Sequence, residues 1–445
     1  MRDFLPADVR RREYVIGVIR DVYERYGFEP LETPAVENIE TLTGKYGEEG
    51  NQLIFKILKR GEHEKTGEAD LALRYDLTVP LARVVAEYGD KLPKFFKRYQ
   101  IQPVWRADRP ARGRFREFYQ CDVDAIGSRS MIVEAELCAA VSDVLVRLGF
   151  NDFTIRLNHR QVLAGMLEVA GIPSNRHNEA LITIDKLDKI GAEGVEQELA
   201  EKGFNGTKVS HLLEFLVFSR DDASRPQHGI SVLHRMANFL NDANPERQEG
   251  QYELAKIEQL TNFNSAGRYI RFDASLARGL SYYTGAIMEI NVPDLAGSLG
   301  GGGRYDNLVG MFSKQSIPAC GFSLGLERII VVMTEREMFP RDLVETAADV
   351  LVTIWDEDST ADALALAREL RAAGVRVDVY PGAEKIGKQL KYASSIGVPF
   401  VVVAGADERA RGEVALKDMK SGEQQQIARG ELAAKVRERI SGNHE

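Results

Sequence analysis

After Pro340 the sequence alternates apolar and amphipathic segments, and this alternation restricts the fold more than any other feature. The apolar segments DVLVTIWD, RVDVYP and PFVVVAG are typical of buried strands, and the two segments between them have helical spacing. Repeats of strand and helix of this length predict a mainly parallel sheet with right-handed crossovers. The sequence therefore predicts a separate C-terminal α/β domain over residues 341–445.

The rest of the chain follows a different pattern, in which extended segments are separated by single amphipathic helices. Two extended segments, 101–107 and 116–127, flank an arginine-rich stretch and are predicted to form an antiparallel hairpin. Residues 174–264 are polar and helix-favouring, which predicts an inserted helical module. The sequence therefore predicts an α+β core over 1–173 and 265–340, built from an antiparallel sheet with flanking helices.

Charge is unevenly distributed along the chain. The formal net charge is −9, which argues against unspecific binding to nucleic acid. Residues 94–116 nevertheless hold eight basic residues and one acid, Asp108. Such a stretch is typical of a solvated positive face, but here aromatic residues lie between the basic ones, and Pro110 and Gly113 mark a loop. Both a solvated face and a binding loop stay open at this point.

The cysteines and the hydropathy of the chain indicate its compartment. Cys121, Cys138 and Cys320 are far apart and odd in number, so we expect neither a disulfide framework nor a CxxC metal site. The seven histidines have no metal-binding spacing, so no resident metal is expected. No apolar run is long enough to span a bilayer. We therefore expect a cytoplasmic protein without a membrane segment.

The return arm of the hairpin carries polar residues where a core strand would carry apolar ones. If the arm is a strand, Gln120, Asp122 and Asp124 lie on the same face as Phe118, because side chains alternate between faces. This face is either an exposed side of the sheet or part of a binding site. Elsewhere in the chain, the segment RYDLTVP places two more polar residues at the same spacing. They are Asp76 and Thr78.

The stretch ARGLSYYTG, Ala277–Gly285, places an arginine and two neighbouring tyrosines before an apolar run. The later run Gly300–Gly303 is either a flexible loop or backbone that approaches a ligand closely. Arginines in three distant parts of the chain suit a polyphosphate, whereas the acids and the amide suit an ammonium group. Together these groups indicate activation of an amino acid by ATP, with attack of the carboxylate on the α-phosphorus. The arginines are Arg106, Arg278 and Arg328.

These segments resemble the signatures of the histidyl-tRNA synthetases, a family of class II aminoacyl-tRNA synthetases, over nearly the whole chain. FEPLETPAVE resembles motif 1, which builds the dimer interface around a proline, here Pro34. Residues 97–124 resemble motif 2, and GFSLGLERI resembles motif 3. ARGLSYYTG and GGGRYD resemble the signatures that distinguish histidyl enzymes from other class II synthetases.

The resemblance implies a class II catalytic core with a helical insertion and a C-terminal anticodon-binding domain. It implies that histidine reacts with ATP to give histidyl-adenylate and pyrophosphate, and that histidine is then transferred to the 3′ end of tRNA(His). Mg²⁺ is expected from the chemistry of ATP, and the implied assembly is a homodimer. Three lysines of the C-terminal domain are either solvated or in contact with tRNA phosphates. They are Lys385, Lys388 and Lys391.

The resemblance also implies a role for each matching side chain. Arg106 would hold the α-phosphate and the reacting carboxylate. Arg278 would stabilise the transition state, and Arg328 would meet the γ-phosphate and the adenine. Asp124 and Tyr283 would hydrogen-bond the imidazole, with Tyr282 beside them. The α-ammonium would be bound by Asp76, Thr78 and Gln120, and the nucleotide by Asp108, Arg114, Arg116 and Phe118, which would stack on adenine.

A departure from the family pattern and two alternative functions accompany this interpretation. Ser281 stands before the tyrosine pair, where the family usually has an aspartate. The regulatory subunit of ATP phosphoribosyltransferase shares the synthetase core and binds histidine, but it generally lacks the C-terminal domain and tends to lose catalytic arginines. A nucleic-acid-binding protein without catalytic activity fits neither the net charge nor the acids Asp76 and Asp124. The synthetase is therefore the expected function.

Overall fold

The chain divides into two compact units, Met1–Met338 and Phe339–Glu445. Among the described residues, no helix combines the length and the apolarity that crossing a bilayer requires. The structure is a computed structural model and describes residues 1–61, 66–223, 230–242, 245–277, 282–313, 315–340, 343 and 347–442.

The strands of the first unit form one large sheet and one small sheet. They are β1 (Glu29–Pro30), β2 (Val36–Asn38), β3 (Lys56–Leu58), β4 (Ala69–Leu73), β5 (Phe96–Trp105), β6 (Glu117–Ile126), β7 (Thr154–His159), β8 (Ile270–Phe272), β9 (Ala286–Asn291), β10 (Gly300–Arg304) and β11 (Ala319–Gly325).

The large sheet has eight strands in the order β1-β5-β6-β11-β10-β9-β7-β8. Neighbouring strands are antiparallel except at the two edges, where β1 runs parallel to β5 and β8 runs parallel to β7. β5 and β6 form the predicted hairpin, with Phe96 opposite Ile126 and Trp105 opposite Glu117. The small sheet pairs β4 with β2 and β3, again antiparallel. The antiparallel core expected from the sequence is therefore confirmed.

Some helices of the first unit flank the sheet, and the others form the segment predicted as an insertion. Within 174–264 the described residues contain helices and no strand. Pro80 lies in the first turn of its helix, as predicted, where its missing N–H leaves no hydrogen bond unmade. The helices are α1 (Pro6–Arg25), α2 (Ile39–Leu42), α3 (Gly47–Gln52), α4 (Thr78–Tyr88), α5 (Ile132–Arg147), α6 (Arg160–Val169), α7 (His177–Ile184), α8 (Leu187–Glu201), α9 (Thr207–Ala223), α10 (Ile230–Phe239), α11 (Pro245–Thr261) and α12 (Leu326–Glu335).

The register of the large sheet settles which kind of face the polar residues of β6 occupy. Asp122 lies opposite Ser323 of β11, and Asp124 lies between Arg98 of β5 and Gly321 of β11. Arg98 and both aspartates are buried. Burial of charged groups is costly unless they are paired, so this face is not an exposed side of the sheet.

The second unit contains the strands β12 (Val350–Val352), β13 (Val377–Val379), β14 (Phe400–Val403), β15 (Glu413–Asp418) and β16 (Gln424–Ala428). They form a five-stranded sheet in the order β13-β12-β14-β15-β16. β13, β12 and β14 are parallel, which confirms the pattern expected from the sequence. β15 and β16 are antiparallel additions that the sequence did not indicate. The helices of this unit are α13 (Thr360–Ala372), α14 (Ile386–Ser395), α15 (Ala406–Arg411) and α16 (Leu432–Gly442).

Candidate active site

A cavity of about 290 Å³ lies where the hairpin, the glycine-rich strand β10 and the start of α12 meet. It brings together side chains from segments that are far apart in the sequence. The predicted site residues that line it are Asp76, Thr78, Arg106, Asp108, Arg114, Phe118, Gln120, Tyr282, Tyr283 and Arg328.

Two predicted site residues that the structure describes, Asp124 and Arg116, are not part of this lining. Asp124 lies behind the wall of the cavity, where its carboxylate contacts the guanidinium of Arg98 at 2.9 Å. Arg116 lies on the hairpin, and its Nε donates to the backbone oxygen of Asp108 at 3.2 Å. Arg278 lies outside the described residues.

Asp76 is held rigidly between β4 and α4. Its Oδ1 accepts from the Tyr46 hydroxyl at 2.9 Å and from the backbone N–H of Val79 at 3.1 Å. Its Oδ2 accepts from the Tyr282 hydroxyl at 3.2 Å. Burial raises the pKa of Asp76, because the charged form loses hydration that these donors replace only in part. A cationic ligand group would restore that stabilisation.

Gln120 of β6 is oriented by two acceptors. Its Nε2 donates to Ser323 Oγ at 2.8 Å and to Asp122 Oδ1 at 3.3 Å. Its Oε1 is buried and has no hydrogen-bond partner among the described residues. Because a carboxylate cannot donate, the amide keeps its nitrogen towards Asp122, and the oxygen is left to accept from a ligand donor such as an ammonium group.

Two buried carboxylates share one guanidinium behind Gln120. Arg98 Nη2 lies 2.9 Å from Asp124 Oδ2 and 3.9 Å from Asp122 Oδ2. Burial raises the pKa of both aspartates, and Arg98 opposes this increase without cancelling it. Tyr305 donates its hydroxyl to the other oxygen of Asp124. This layer of acids gives the adjoining cavity wall a preference for positive charge.

The two tyrosines stand at an irregular entrance to β9. Adjacent residues on a regular strand point to opposite faces, but Tyr282 and Tyr283 precede the first residue of β9, and both line the cavity. Their ring centroids are 5.1 Å apart at an interplanar angle of 69°. Burial raises the pKa of Tyr283, so its phenol stays protonated and can donate a hydrogen bond.

Arg106 and Arg328 bring guanidinium groups to the cavity from different elements. Arg106 follows β5, and its Nε donates to the backbone oxygen of Tyr75 at 3.1 Å. Its Cζ lies 4.3 Å from the centroid of the Tyr75 ring and 5.2 Å from that of Phe118. Arg328 lies in the first turn of α12 and donates to the backbone oxygen of Ser298. Their positions suit an anionic ligand that extends along the cavity.

The glycine run forms strand β10 rather than a flexible loop. A Cβ at Gly302 would lie 2.1 Å from the Gly321 oxygen, and one at Gly303 would lie 2.9 Å from the Tyr283 ring. The absence of side chains therefore lets neighbouring strands approach and makes room for Tyr283. Gly300, Gly301 and Gly302 also line the cavity, as expected for backbone that comes close to a ligand.

A second cavity of about 340 Å³ adjoins the first, since Arg114, Leu276 and Arg328 line both. The hairpin tip and the start of the helical segment 174–264 contribute to its wall. Its other charged lining residues are Arg112, Arg156, Asp185 and Lys189, so basic groups predominate.

Two family models match the chain. The model of the histidyl-tRNA synthetases matches residues 1–329, which is most of the first unit. The chain belongs to the histidyl-tRNA synthetase family. The model of the anticodon binding domain matches residues 348–439, within the second unit.

Relatives in the histidyl-tRNA synthetase family match over nearly the whole length. The histidine–tRNA ligase of Gloeobacter violaceus is 44% identical over 452 residues, covering 96% of this chain and 95% of that protein. The crystal structure of histidyl-tRNA synthetase from Nostoc sp. PCC 7120 has a TM-score of 0.81 and 32% identity, covering 98% of this chain and 97% of that one. The family expected from the sequence is confirmed.

A third match concerns the alternative of a regulatory paralogue. A crystal structure from Bacillus halodurans, described as an ATP phosphoribosyltransferase regulatory subunit/histidyl-tRNA synthetase, has a TM-score of 0.71 and 22% identity. It covers 88% of this chain and 94% of that one. At this identity the likeness shows the fold alone.

Several residues that shape this synthetase site were not predicted from the sequence. Tyr46, Arg98 and Tyr305 hold the acids, and their aromatic or basic character did not distinguish them from core residues. Glu289 lines the cavity and was detectable, because it is a lone acid within the apolar run Ala286–Ile290. Ser323 was detectable as the polar residue between two glycines of GFSLG.

A Gly321→Ala variant is expected to destabilise the first unit by about 1–3 kcal/mol, the usual cost of overpacking. Its Cβ would lie 1.9 Å from Asp124 Oδ1, which Arg98 and Tyr305 keep in place. Gly17→Ala is the control, because no atom lies within 4 Å of that Cβ on α1. Urea unfolding of both variants checks this expectation, and equal midpoints would contradict it.

Proposed function

We propose that this chain activates histidine with ATP and transfers it to tRNA(His), as a histidine–tRNA ligase. The observation that carries the proposal is the shared cavity of Arg106, Arg328, Asp76 and Gln120. Guanidinium groups suit the phosphates of ATP, and the acid and the amide suit an amino acid. Membership in the histidyl-tRNA synthetase family supports the same reaction.

The amino-acid half of the cavity would recognise histidine at both of its ends. We propose that Asp76, Thr78 and the free Oε1 of Gln120 accept hydrogen bonds from the α-ammonium. Tyr283 would donate to the unprotonated imidazole nitrogen, with Tyr282 packed beside it. Asp124 is engaged by Arg98 and Tyr305. We propose that it acts on the imidazole N–H side through its charge.

The nucleotide half would hold ATP in line with the histidine carboxylate. A carboxylate oxygen attacks the α-phosphorus, the bond to the β-phosphate oxygen breaks, and pyrophosphate leaves. We propose that Arg106 and Arg278 stabilise the negative charge at the α-phosphate and that Arg328 binds the γ-phosphate. The remaining nucleotide contacts are proposed for Asp108, Arg114, Arg116 and Phe118, whose ring would stack on adenine.

Mg²⁺ bound with ATP would supply further neutralisation of the phosphate charge. Among the described residues, no group of three histidine, cysteine, aspartate or glutamate side chains is arranged to hold a metal ion. Mg²⁺ commonly binds through substrate phosphates and only one or two protein carboxylates. The described residues therefore fit an ion that arrives with ATP.

The second step requires the 3′ end of tRNA(His) to reach the adenylate. The terminal ribose hydroxyl attacks the carbonyl carbon, and AMP leaves. We propose that the second cavity admits this end, because it adjoins the first and its charged lining residues are mainly basic. The unit matched by the anticodon binding model would bind the anticodon, with contributions to phosphate binding from Lys385, Lys388 and Lys391.

We also propose a homodimer that acts in the cytoplasm. The dimer would form around Pro34 and the small sheet of β2, β3 and β4. This sheet exposes apolar side chains at Val36, Leu58 and Leu71, which a second copy could cover. The domain boundaries proposed for the first unit are a core over 1–173 and 265–340 around the insertion 174–264.

The proposed activity predicts exchange of labelled pyrophosphate into ATP that depends on histidine. Exchange should require all three of histidine, ATP and Mg²⁺, and glutamine or lysine should not replace histidine. A site built on hydrogen bonds rejects analogues that lack them by about 10⁴-fold. Binding of histidine in calorimetry without exchange would favour the regulatory paralogue instead.

A further inference from the structure

The sheet of the second unit has a topological switch point at the carboxyl end of β12. The chain leaves β12 for β13 on one side and returns to β14 on the other. The two crossover helices therefore lie on opposite faces, and apolar cores form on both faces. In open α/β sheets, ligands bind in the crevice that this arrangement leaves outside the carboxyl ends of the strands.

Trp355 stands at this switch point and is largely exposed. It follows β12 by three residues, and 48% of its surface is accessible. A Cβ at Gly405, which follows β14, would lie 3.6 Å from the indole ring. One side of the indole ring therefore packs against the backbone that follows β14. Much of a large aromatic surface is left to solvent, at the place where a ligand is expected.

The backbone that carries Trp355 is fixed by a buried amide. Gln389 of α14 is fully buried, and its Oε1 accepts from the Ile354 N–H at 3.0 Å. Its Nε2 donates to the Ile354 oxygen at 2.7 Å and to the Glu384 oxygen at 2.6 Å. Both backbone groups of the residue before Trp355 are thus satisfied inside the unit, so the indole projects from a rigid support.

A guanidinium lies close to the same edge. Arg409 of α15 is 3.6 Å from the carboxylate of Asp356, the residue after Trp355. The Arg409 Nε is buried and has no hydrogen-bond partner among the described residues. An aromatic platform beside a guanidinium is the combination that binds unpaired nucleotides, because the base stacks and the phosphate is neutralised.

We propose that Trp355 stacks on an unpaired base of the anticodon loop of tRNA, with Arg409 contacting the adjoining phosphate. This inference rests on the proposed function and adds to it a specific place of contact in the second unit. A flat indole accepts any base on its exposed face, so Trp355 would supply affinity and the position of the loop. Selection among bases would come from other groups of the crevice.

The test compares full-length tRNA with a short hairpin that contains only the acceptor stem. A Trp355→Ala variant should raise the KM for full-length tRNA by about 5- to 150-fold, the range that stacking of one base accounts for. Charging of the acceptor-stem hairpin should be unchanged, and so should histidine-dependent pyrophosphate exchange. Trp355→Phe keeps an aromatic face and should restore most of the affinity.

Two controls distinguish base stacking by Trp355 from a general effect of removing exposed apolar surface. Leu364→Ala removes another exposed apolar side chain of the second unit and should leave the KM for tRNA unchanged. If the KM of Trp355→Ala for full-length tRNA equals that of the wild type, the inference is wrong. It is also wrong if charging of the acceptor-stem hairpin is weakened by the same factor. If the variant changes only the oligomeric state, Trp355 serves a protein contact and the inference is again wrong. Absence of exchange in the wild type would contradict the proposed function instead.

Discussion

An Arg106→Ala variant is expected to lose about 100- to 1,000-fold in the rate of histidine-dependent pyrophosphate exchange, the loss typical of removing one preorganised donor. The guanidinium is fixed before any ligand binds, because Nε donates to Tyr75 and the group lies over the rings of Tyr75 and Phe118. It therefore needs no reorganisation when charge develops at the α-phosphate. Arg106→Lys should recover only a small part of the exchange rate, since an ammonium cannot present two parallel donors.

The control for this variant is Arg129→Ala, which removes an exposed arginine just beyond the end of β6 and outside the cavity. Its exchange rate should match that of the wild type. Both variants are measured over a range of histidine and ATP concentrations. If Arg106→Ala kept the wild-type rate and raised only the KM for ATP, Arg106 would contribute uniform binding and not transition-state stabilisation.

The composition of the site could be predicted from the sequence because local periodicity fixes which residues share a face. The spacing of two residues in β6 placed Phe118 and Gln120 together, and both line the cavity. The same spacing placed Asp124 with them, but it carries no information on depth. Tyr305 and Arg98 come from other strands or their ends and enclose Asp124. Tertiary contacts of this kind are invisible to a pattern within one segment.

The glycine run illustrates a second limit of sequence reasoning. Glycines favour loops by composition, yet Gly300–Gly303 forms β10, because the neighbouring strands approach so closely that a Cβ at Gly302 would collide with a backbone oxygen. The requirement arises from the partner strand and not from the run itself. For the same reason, the sequence alone could not show that the entrance of β9 is irregular. It indicated only that an irregular entrance is required if both tyrosines are to face the cavity.

The second unit could be predicted in its parallel part and not in its antiparallel part. The apolar runs of β12 and β14 are buried on both faces and give a continuous apolar signal. β16 has the burial pattern of an edge strand, with Gln424, Gln425 and Gln426 exposed. A run of exposed glutamines has neither alternation nor apolar content, so pairing with β15 alone makes it a strand.

An Asp124→Ala variant is expected to lower the free energy of unfolding of the first unit by about 3–5 kcal/mol, the cost of leaving a buried charge without its partner. Arg98 has no exposed surface, and Asp124 is its nearest carboxylate at 2.9 Å, whereas Asp122 lies at 3.9 Å. The hydroxyl of Tyr305 would also lose its acceptor. Asp124→Asn keeps an acceptor for Tyr305. Its free energy of unfolding should therefore lie between those of Asp124→Ala and the wild type.

The two tryptophans allow this loss to be assigned to the first unit. Trp105 belongs to the first unit and Trp355 to the second, so a Trp355→Phe background leaves one indole that reports on the first unit. Urea unfolding is followed by its fluorescence. Asp21→Ala is the control, since Asp21 forms exposed ion pairs with Arg25 of α1 and Arg147 of α5. Loss of exposed pairs should change the midpoint little.

Histidine affinity of the folded variants then separates two roles of Asp124. If its charge acts on the imidazole, Asp124→Asn should bind histidine more weakly at unchanged affinity for ATP, under conditions in which the variant is fully folded. If Asp124 serves only Arg98, the variant should lose stability and keep its histidine affinity. Wild-type stability of Asp124→Ala would mean that Asp122 alone neutralises Arg98. In that case the acids behind Gln120 would not give the cavity wall its preference for a cation.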